Sequence, residues 1–108
     1  MSVEQIDKVD FISTKPDGNV ELTISDHLEW NNRNEHFQIL QDKLNSYLNF
    51  IESGQLGEEY PNAINKKISI RLIMKFAPDK IAVEFLENCQ SIIESENVDF
   101  SWKMLNQK

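Results

Sequence analysis

Residues 20–25 have the sequence VELTIS, in which apolar and polar side chains alternate without a break. Successive side chains of a β-strand point to opposite faces, so this pattern predicts a strand with Val20, Leu22 and Ile24 on one buried face. Such a strand packs against another layer on its apolar side and leaves its polar side to solvent. The stretch therefore predicts a sheet that is covered on one face only.

The segment before this strand predicts a β-hairpin. Residues 15–18 read KPDG, which is typical of a tight turn because proline fixes φ and glycine accepts a left-handed conformation. A first strand is predicted over residues 9–13. In this strand Phe11 is assigned to the face that packs on the helices, and Ile12 to the open face as an apolar exception.

Residues 34–53 predict an amphipathic helix. Gly54 follows the last periodic residue, as is common where a helix ends in a left-handed residue. The apolar residues recur at spacings of three and four and so form one buried stripe, which consists of Phe37, Leu40, Leu44, Tyr47, Leu48 and Ile51.

The second half of the chain repeats the alternation of strand and helix. After a long connection over residues 55–66, residues 68–76 and 98–104 alternate as strands do. Between them Ala77-Pro78-Asp79 is expected to open a second helix, because proline suits a first helical turn, and Asn97 to stop it. The buried stripe predicted for this helix is Ala82, Phe85, Leu86, Cys89, Ile92 and Ile93.

The predicted order is ββαβαβ, in a single α+β domain over residues 1–108. Because each strand has one polar face, both helices must lie on the same side of a four-stranded mixed sheet. Right-handed crossovers on one face require successive steps in the same direction across the sheet. This favours a two-layer sandwich with the hairpin at one edge and residues 98–104 at the other.

Charge gives the clearest indication of function. The chain has 18 acidic and 11 basic residues and a formal net charge of −7. Residues 1–54 hold ten of the acids and four of the bases, whereas residues 55–108 hold eight and seven. An acidic surface repels nucleic acid and anionic lipid and attracts basic proteins. The composition therefore indicates a basic protein partner, and neither nucleic acid nor a membrane.

Asp26 breaks the alternation of the second strand, since the apolar phase would bury its carboxylate at a high free-energy cost. In one interpretation the strand stops at Ser25, and Asp26 with Glu29 opens a short helical turn. In the other, Asp26 and Glu29 bracket His27 as an acid–base cluster. The first is favoured, because neighbours along a strand point to opposite faces.

Other chemistry has little support in the sequence. His27 and His36 lack the spacing of paired metal ligands, and the isolated glycines form no phosphate-binding loop, so no metal or cofactor is expected. Cys89 is expected to be a buried and unreactive thiol. RNA-binding sheets carry aromatic residues on the open face, whereas Phe11, Phe76, Phe100 and Trp102 are all assigned to the helix-facing phase.

The partner-binding surface is predicted around the junction of the second strand and the first helix. Trp30 follows the patterned strand, where its ring is either an exposed interface anchor or a lid over the end of the core. Two acids of the long connection are expected to extend the same surface. The predicted residues are Asp26, His27, Glu29, Trp30, Glu35, Glu58 and Glu59.

The strings ISDHLEW (residues 24–30) and FIESGQL (residues 50–56), together with residues 9–13, resemble a family of small bacterial proteins of unknown function. The likeness covers roughly residues 6–104. It implies a bacterial cytoplasmic source and supplies no activity or catalytic residues. In general style, a small acidic single domain without a catalytic constellation is also similar to the immunity proteins that neutralise bacterial toxins.

Three functions follow as competing hypotheses. The favoured one is a non-enzymatic, protein-binding immunity protein that masks a basic toxin domain. The alternatives are a small enzyme that uses His27 with Asp26 or Glu29, and a module that self-associates through its sheet edges. One cysteine, no signal-peptide pattern at residues 1–7 and no apolar run of about 20 residues favour a cytoplasmic protein of undetermined oligomeric state.

Overall fold

The computed structural model describes residues 11–30 and 33–104, with the backbone alone at positions 11 and 33. Val9 and Asp10 of the predicted first strand lie outside the described residues. In chain order the elements are β1 (Phe11–Thr14), β2 (Val20–Asp26), α1 (Arg33–Glu52), α2 (Gln55–Glu59), a 3-10 turn (Pro61–Ala63), β3 (Ile68–Met74), α3 (Lys80–Ser95) and β4 (Asp99–Met104).

The four strands form one mixed sheet in the order β1-β2-β3-β4. β1 pairs antiparallel with β2, whereas β2–β3 and β3–β4 are parallel. The two crossovers, through α1 and through α3, step in the same direction across the sheet, so right-handed connections place both helices on one face. The predicted two-layer α+β sandwich and its strand order are confirmed.

The core lies between the sheet and the two long helices. The alternate residues of β2 and β3 that the sequence assigns to the buried face are buried, and Leu22 and Leu72 among them have no exposed surface. They share one apolar cluster with Leu40 and Leu44 of α1 and with Leu86 of α3. The apolar faces predicted from the period of two in the strands and from the period near 3.6 in the helices therefore form a single core.

The phase of β1 is the reverse of the predicted one. Ile12 lies opposite Leu22, and Phe11 opposite Thr23. Directly opposed residues of an antiparallel pair share a face, and Ile12 packs against the core, so it is not an apolar exception on the open face. The physical reason is the length of the loop, because the pairing of Thr14 with Val20 sets the register, and a slip of one residue exchanges the two faces.

Four further details differ from the predictions. The connection over residues 55–66 contains α2 and the 3-10 turn. α3 begins at Lys80, and the Asp79 side chain caps it by accepting a hydrogen bond from the Ala82 amide at 2.9 Å, so Pro78 lies before the helix. β3 ends at Met74, which leaves Phe76 beyond the strand. Ile92 of the predicted buried stripe is 61% exposed.

Candidate functional site

β2 runs one residue further than the favoured interpretation predicted and carries Asp26 into the interior. Asp26 pairs with Met74 of β3 and is only 2% exposed. Its backbone carbonyl accepts a hydrogen bond from the Lys75 amide at 2.9 Å. The alternation of β2 therefore continues through an ionisable residue, and the prediction that the strand stops at Ser25 is wrong. The predicted partner-binding set required Asp26 to be exposed, and this part of the prediction is also wrong.

Both carboxylate oxygens of Asp26 have partners. Oδ1 accepts a hydrogen bond from the Leu28 amide at 3.0 Å, and Oδ2 lies 2.5 Å from Nε2 of His36, in the first turn of α1. His36 is itself 2% exposed. A buried carboxylate is tolerated when its lone pairs are satisfied in this way. The pair therefore ties the end of β2 to the start of α1.

Trp30 covers this pair. Its ring stacks on the His36 imidazole with centroids 3.8 Å apart and an interplanar angle of 25°. Its indole Nε1 donates a hydrogen bond to the Phe76 carbonyl at 3.1 Å. Trp30 is half-buried, and it links the loop after β2 to the loop after β3. Of the two interpretations of this residue, the structure favours the lid.

The less favoured interpretation, in which Asp26 and Glu29 bracket His27 as an acid–base cluster, is wrong for Asp26. His27 is exposed, whereas Asp26 is buried, because neighbours along a strand face opposite ways. The histidine that meets Asp26 is His36, ten positions later. The arrangement resembles an acid–base dyad, since a carboxylate on Nε2 orients the ring. In contrast to a solvent-facing dyad, His36 Nδ1 is buried and has no hydrogen-bond partner among the described residues.

Lys43, which lies two turns beyond His36 on α1, is a further buried basic residue that was not predicted from the sequence. Lys43 is completely buried, and its Nζ lies 5.3 Å from the centroid of the Tyr47 ring. His36, Leu40, Lys43 and Tyr47 follow one another at spacings of three and four. The available signal was their position in the helical period, which places both basic residues on the stripe that faces the sheet.

The remaining predicted binding residues fall at two opposite ends of the molecule. His27, Glu29 and Glu35 are exposed near the junction of β2 and α1. Glu58 and Glu59 are exposed on α2, which follows the far end of the 20-residue helix α1, about 30 Å away at 1.5 Å per residue. The prediction that these two glutamates extend the junction surface is therefore wrong.

The helical layer is strongly acidic on its outer side. Among the side chains described on α1 and α3, the one exposed base is Lys80, since Lys43 is buried. The exposed acids of the two helices are Glu35, Asp42, Glu52, Glu84, Glu87 and Glu94. Gln38 donates a hydrogen bond to Asp42 at 2.9 Å, which leaves the negative charge in place.

The open face of the sheet differs, because acids and bases alternate on it. Arg71 Nη1 lies 3.6 Å from a carboxylate oxygen of Glu21, and Lys67 Nζ lies 3.8 Å from one of Asp99. The first pair joins β3 to β2, and the second joins the residue before β3 to β4, so positive and negative charges are interleaved across this face. The negative field of the described chain is therefore concentrated on the helical side.

Cys89 is half-buried on α3 rather than fully buried as expected. Desolvation raises the pKa of its thiol from 9.0 to about 11. Only the thiolate reacts with alkylating reagents. The raised pKa of Cys89 therefore supports the prediction that its thiol reacts slowly in the native protein.

We expect Cys89 to react roughly 100-fold more slowly in the native protein than in the unfolded chain near pH 8, since a pKa difference of two units lowers the thiolate fraction by that factor. Alkylation by iodoacetamide, with and without urea, measures the ratio. The raised pKa also means that the folded state loses stability as the pH rises from 9.0 towards 11. Equal native and denatured rates would contradict both expectations.

Residues 11–30 and 33–104 contain no group of three or more His, Cys, Asp or Glu side chains placed to hold a metal ion. None of the helices in these residues is long and apolar enough to cross a membrane.

Comparison with known proteins places the chain in a family. Neither the curated proteins nor the solved structures include a significant match to it. A family model matches residues 1–106, which is almost the whole chain, and its description is "Family of unknown function (DUF6572)". This chain is therefore a member of the family of unknown function DUF6572.

Proposed function

We propose that this chain is a non-enzymatic protein-binding module whose acidic helical layer covers a basic protein. One observation carries the proposal, namely the segregation of charge between the two layers. The described side chains of α1 and α3 include six exposed acids and a single exposed base. On the open side of the sheet, in contrast, acids and bases are interleaved.

The specific form of this proposal is an immunity protein in the bacterial cytoplasm that masks a toxin domain. A toxin that grips nucleic acid needs a basic surface, and an acidic helical layer is complementary to such a surface. Complementary fields accelerate association to about 10⁸ M⁻¹s⁻¹ at low salt. An inhibitor that must act before its target does damage benefits from this speed.

The proposed surface leaves out three of the residues predicted from the sequence. Asp26 is removed from it by burial, and Glu58 and Glu59 lie at the other end of α1. Glu35 is exposed in the first turn of α1, so the junction with His27 and Glu29 is continuous with the helical layer. The proposed surface therefore runs from the β2–α1 junction along the outer sides of α1 and α3.

We expect the combined changes Asp42→Asn, Glu84→Gln and Glu87→Gln to slow association with the basic partner about 10-fold at low salt, because exposed charges act mainly on the association rate. They should also flatten the dependence of that rate on salt, since fewer charges remain to be screened. The partner is to be captured from the host with the native chain, identified and purified. Its association kinetics are then measured near 0.02 M and 0.5 M salt.

The matched control is Glu58→Gln, Glu59→Gln and Asp99→Asn, which removes the same charge away from the helical layer. All three residues are exposed, and the control triple should leave the association rate within about twofold. If the two triple variants slowed association equally, the change in rate would be explained by net charge alone and not by the helical layer. An acidic partner, or rates unchanged in the first triple variant, would overturn the proposed surface. Capture of nothing except further copies of the chain would favour self-association instead.

A further inference from the structure

We infer that the groove between α1 and α3 holds an apolar side chain of the basic partner, an inference that rests on the proposed function. The groove has a volume of about 130 Å³. Its apolar lining includes Leu44 and Leu48 of α1 and Phe85, Cys89 and Ile92 of α3. A cavity of about 150 Å³ lined by such residues binds benzene. The groove is therefore the right size for one aliphatic or aromatic side chain.

Ile92 is the sign that this groove lacks a natural cover within the described chain. Helical spacing places it beside Cys89 on the predicted buried stripe, yet it is 61% exposed. Large apolar side chains left open beside a concave apolar surface mark interaction sites more often than isolated ones do. Ile81, on the same helix, is 50% exposed but lies outside the groove lining, which makes it a useful reference.

The charges around the groove select the kind of occupant. The lining contains no charged residue, and its polar members are Gln41, Asn45 and Asn88. Asp42 lies three positions before Asn45, and Glu84 four positions before Asn88, so each helix carries an exposed carboxylate beside the groove. This is an apolar centre with an acidic rim. It fits an apolar residue flanked by lysine or arginine, and a second copy of this acidic layer would be repelled.

The test uses a defined probe. A 14-residue peptide of lysine and leucine with all leucines on one helical face is compared with a scrambled peptide of the same composition and charge. Binding is measured by fluorescence anisotropy at low salt, and occupation of the groove by the rate of Cys89 alkylation. We expect the amphipathic peptide to bind at least 10-fold more tightly than the scrambled one and to slow alkylation at least fivefold.

The matched variants are Ile92→Glu, in the groove, and Ile81→Glu, outside it. Both add one negative charge at an exposed position of α3, so a general gain in Coulomb attraction for the peptide is common to both variants. We expect Ile92→Glu to weaken binding at least 10-fold and Ile81→Glu to leave it within threefold. The proposed groove site would be rejected by any one of four results. These are equal affinities of the two variants for the peptide, equal binding of the two peptides, no binding of either peptide, and an unchanged rate of Cys89 alkylation.

The failure of this inference is distinguishable from that of the proposed function. If the triple variant Asp42→Asn, Glu84→Gln and Glu87→Gln weakens binding of the peptide and Ile92→Glu does not, the acidic surface stands and the groove is rejected. If Ile92→Glu weakens binding and the triple variant does not, the groove stands as a site for apolar side chains, whereas the acidic rim and its basic partner are rejected. A monomer mass in sedimentation, at the protein concentration of the assay, would exclude self-association through the groove. A dimer that Ile92→Glu dissociates would show that a second copy of the chain, and not a basic partner, occupies the groove.

Discussion

Replacement of His36 by alanine is expected to lower the free energy of unfolding by about 3–5 kcal/mol. The change leaves Asp26 Oδ2 without its partner at 2.5 Å, in a position that is 2% exposed. Removal of the partner of a buried carboxylate is strongly destabilising, because the carboxylate stays desolvated and one of its oxygens is left unsatisfied. It also removes the ring on which Trp30 stacks. For a domain whose total stability is about 5–15 kcal/mol, this is a large fraction.

Urea unfolding followed by tryptophan fluorescence and by circular dichroism measures the change. The matched control is His27→Ala, which removes an exposed imidazole at the same junction and should change the stability by no more than about 1 kcal/mol. A double-mutant cycle with Asp26→Asn isolates the coupling of the pair, expected at about 1–3 kcal/mol. If His36→Ala and His27→Ala were equally mild, the buried pair would not hold the junction together.

The same pair shows what local sequence patterns establish and what they omit. Continued by one residue, the alternation in residues 20–25 would bury position 26, although the favoured interpretation ended the strand at Ser25. The helical period of α1 puts residue 36 on the inner side, although the predicted stripe began at Phe37. What the pattern did not supply was the meeting of the two, because they lie ten positions apart across a loop. A polar residue in an apolar phase therefore indicates a missing partner at least as strongly as it indicates the end of a strand.

The topology was predictable because each rule behind it is local or general. One-sided strands, two helices and right-handed crossovers admit few arrangements, and the observed order β1-β2-β3-β4 is among them. The phase of β1 was not predictable in the same way. It depends on whether Thr14 or a neighbour pairs with Val20, and the turn sequence KPDG suits more than one loop length.

The sign of the charge on the candidate surface follows from the sequence, whereas the position of the exposed acids does not. Total charge follows from composition, whereas its location depends on which charged residues the fold exposes. Asp26 and Lys43, of opposite charge, both lie inside, and residues 58 and 59 lie beyond the far end of α1. The buried stripe predicted for α3 was too wide at Ile92, because a helix that meets the sheet through Ala82, Leu86 and Ile93 turns Ile92 towards the groove instead.

Truncation of the core gives the second large effect. Leu72→Ala is expected to lower the free energy of unfolding by about 2–5 kcal/mol, the range found when a buried leucine is removed and the cavity only partly collapses. Leu72 has no exposed surface, and it lies at the centre of the sheet between Ile24 of β2 and Trp102 of β4. Its neighbours on both sides belong to paired strands, which limits how far the site can collapse.

The adjacent residue supplies the control, because Arg71 points to the open face. Its guanidinium lies 3.6 Å from Glu21, and surface ion pairs of this kind contribute about 0–1 kcal/mol. Arg71→Ala should therefore change the stability by no more than about 1 kcal/mol in the same urea experiment. If Arg71→Ala destabilised the fold as much as Leu72→Ala, the open face would have to be covered in solution. Among the described residues, Thr23, Arg71 and Ile73 are partly accessible on that face. The comparison of Arg71→Ala with Leu72→Ala therefore tests whether this face is also open in solution.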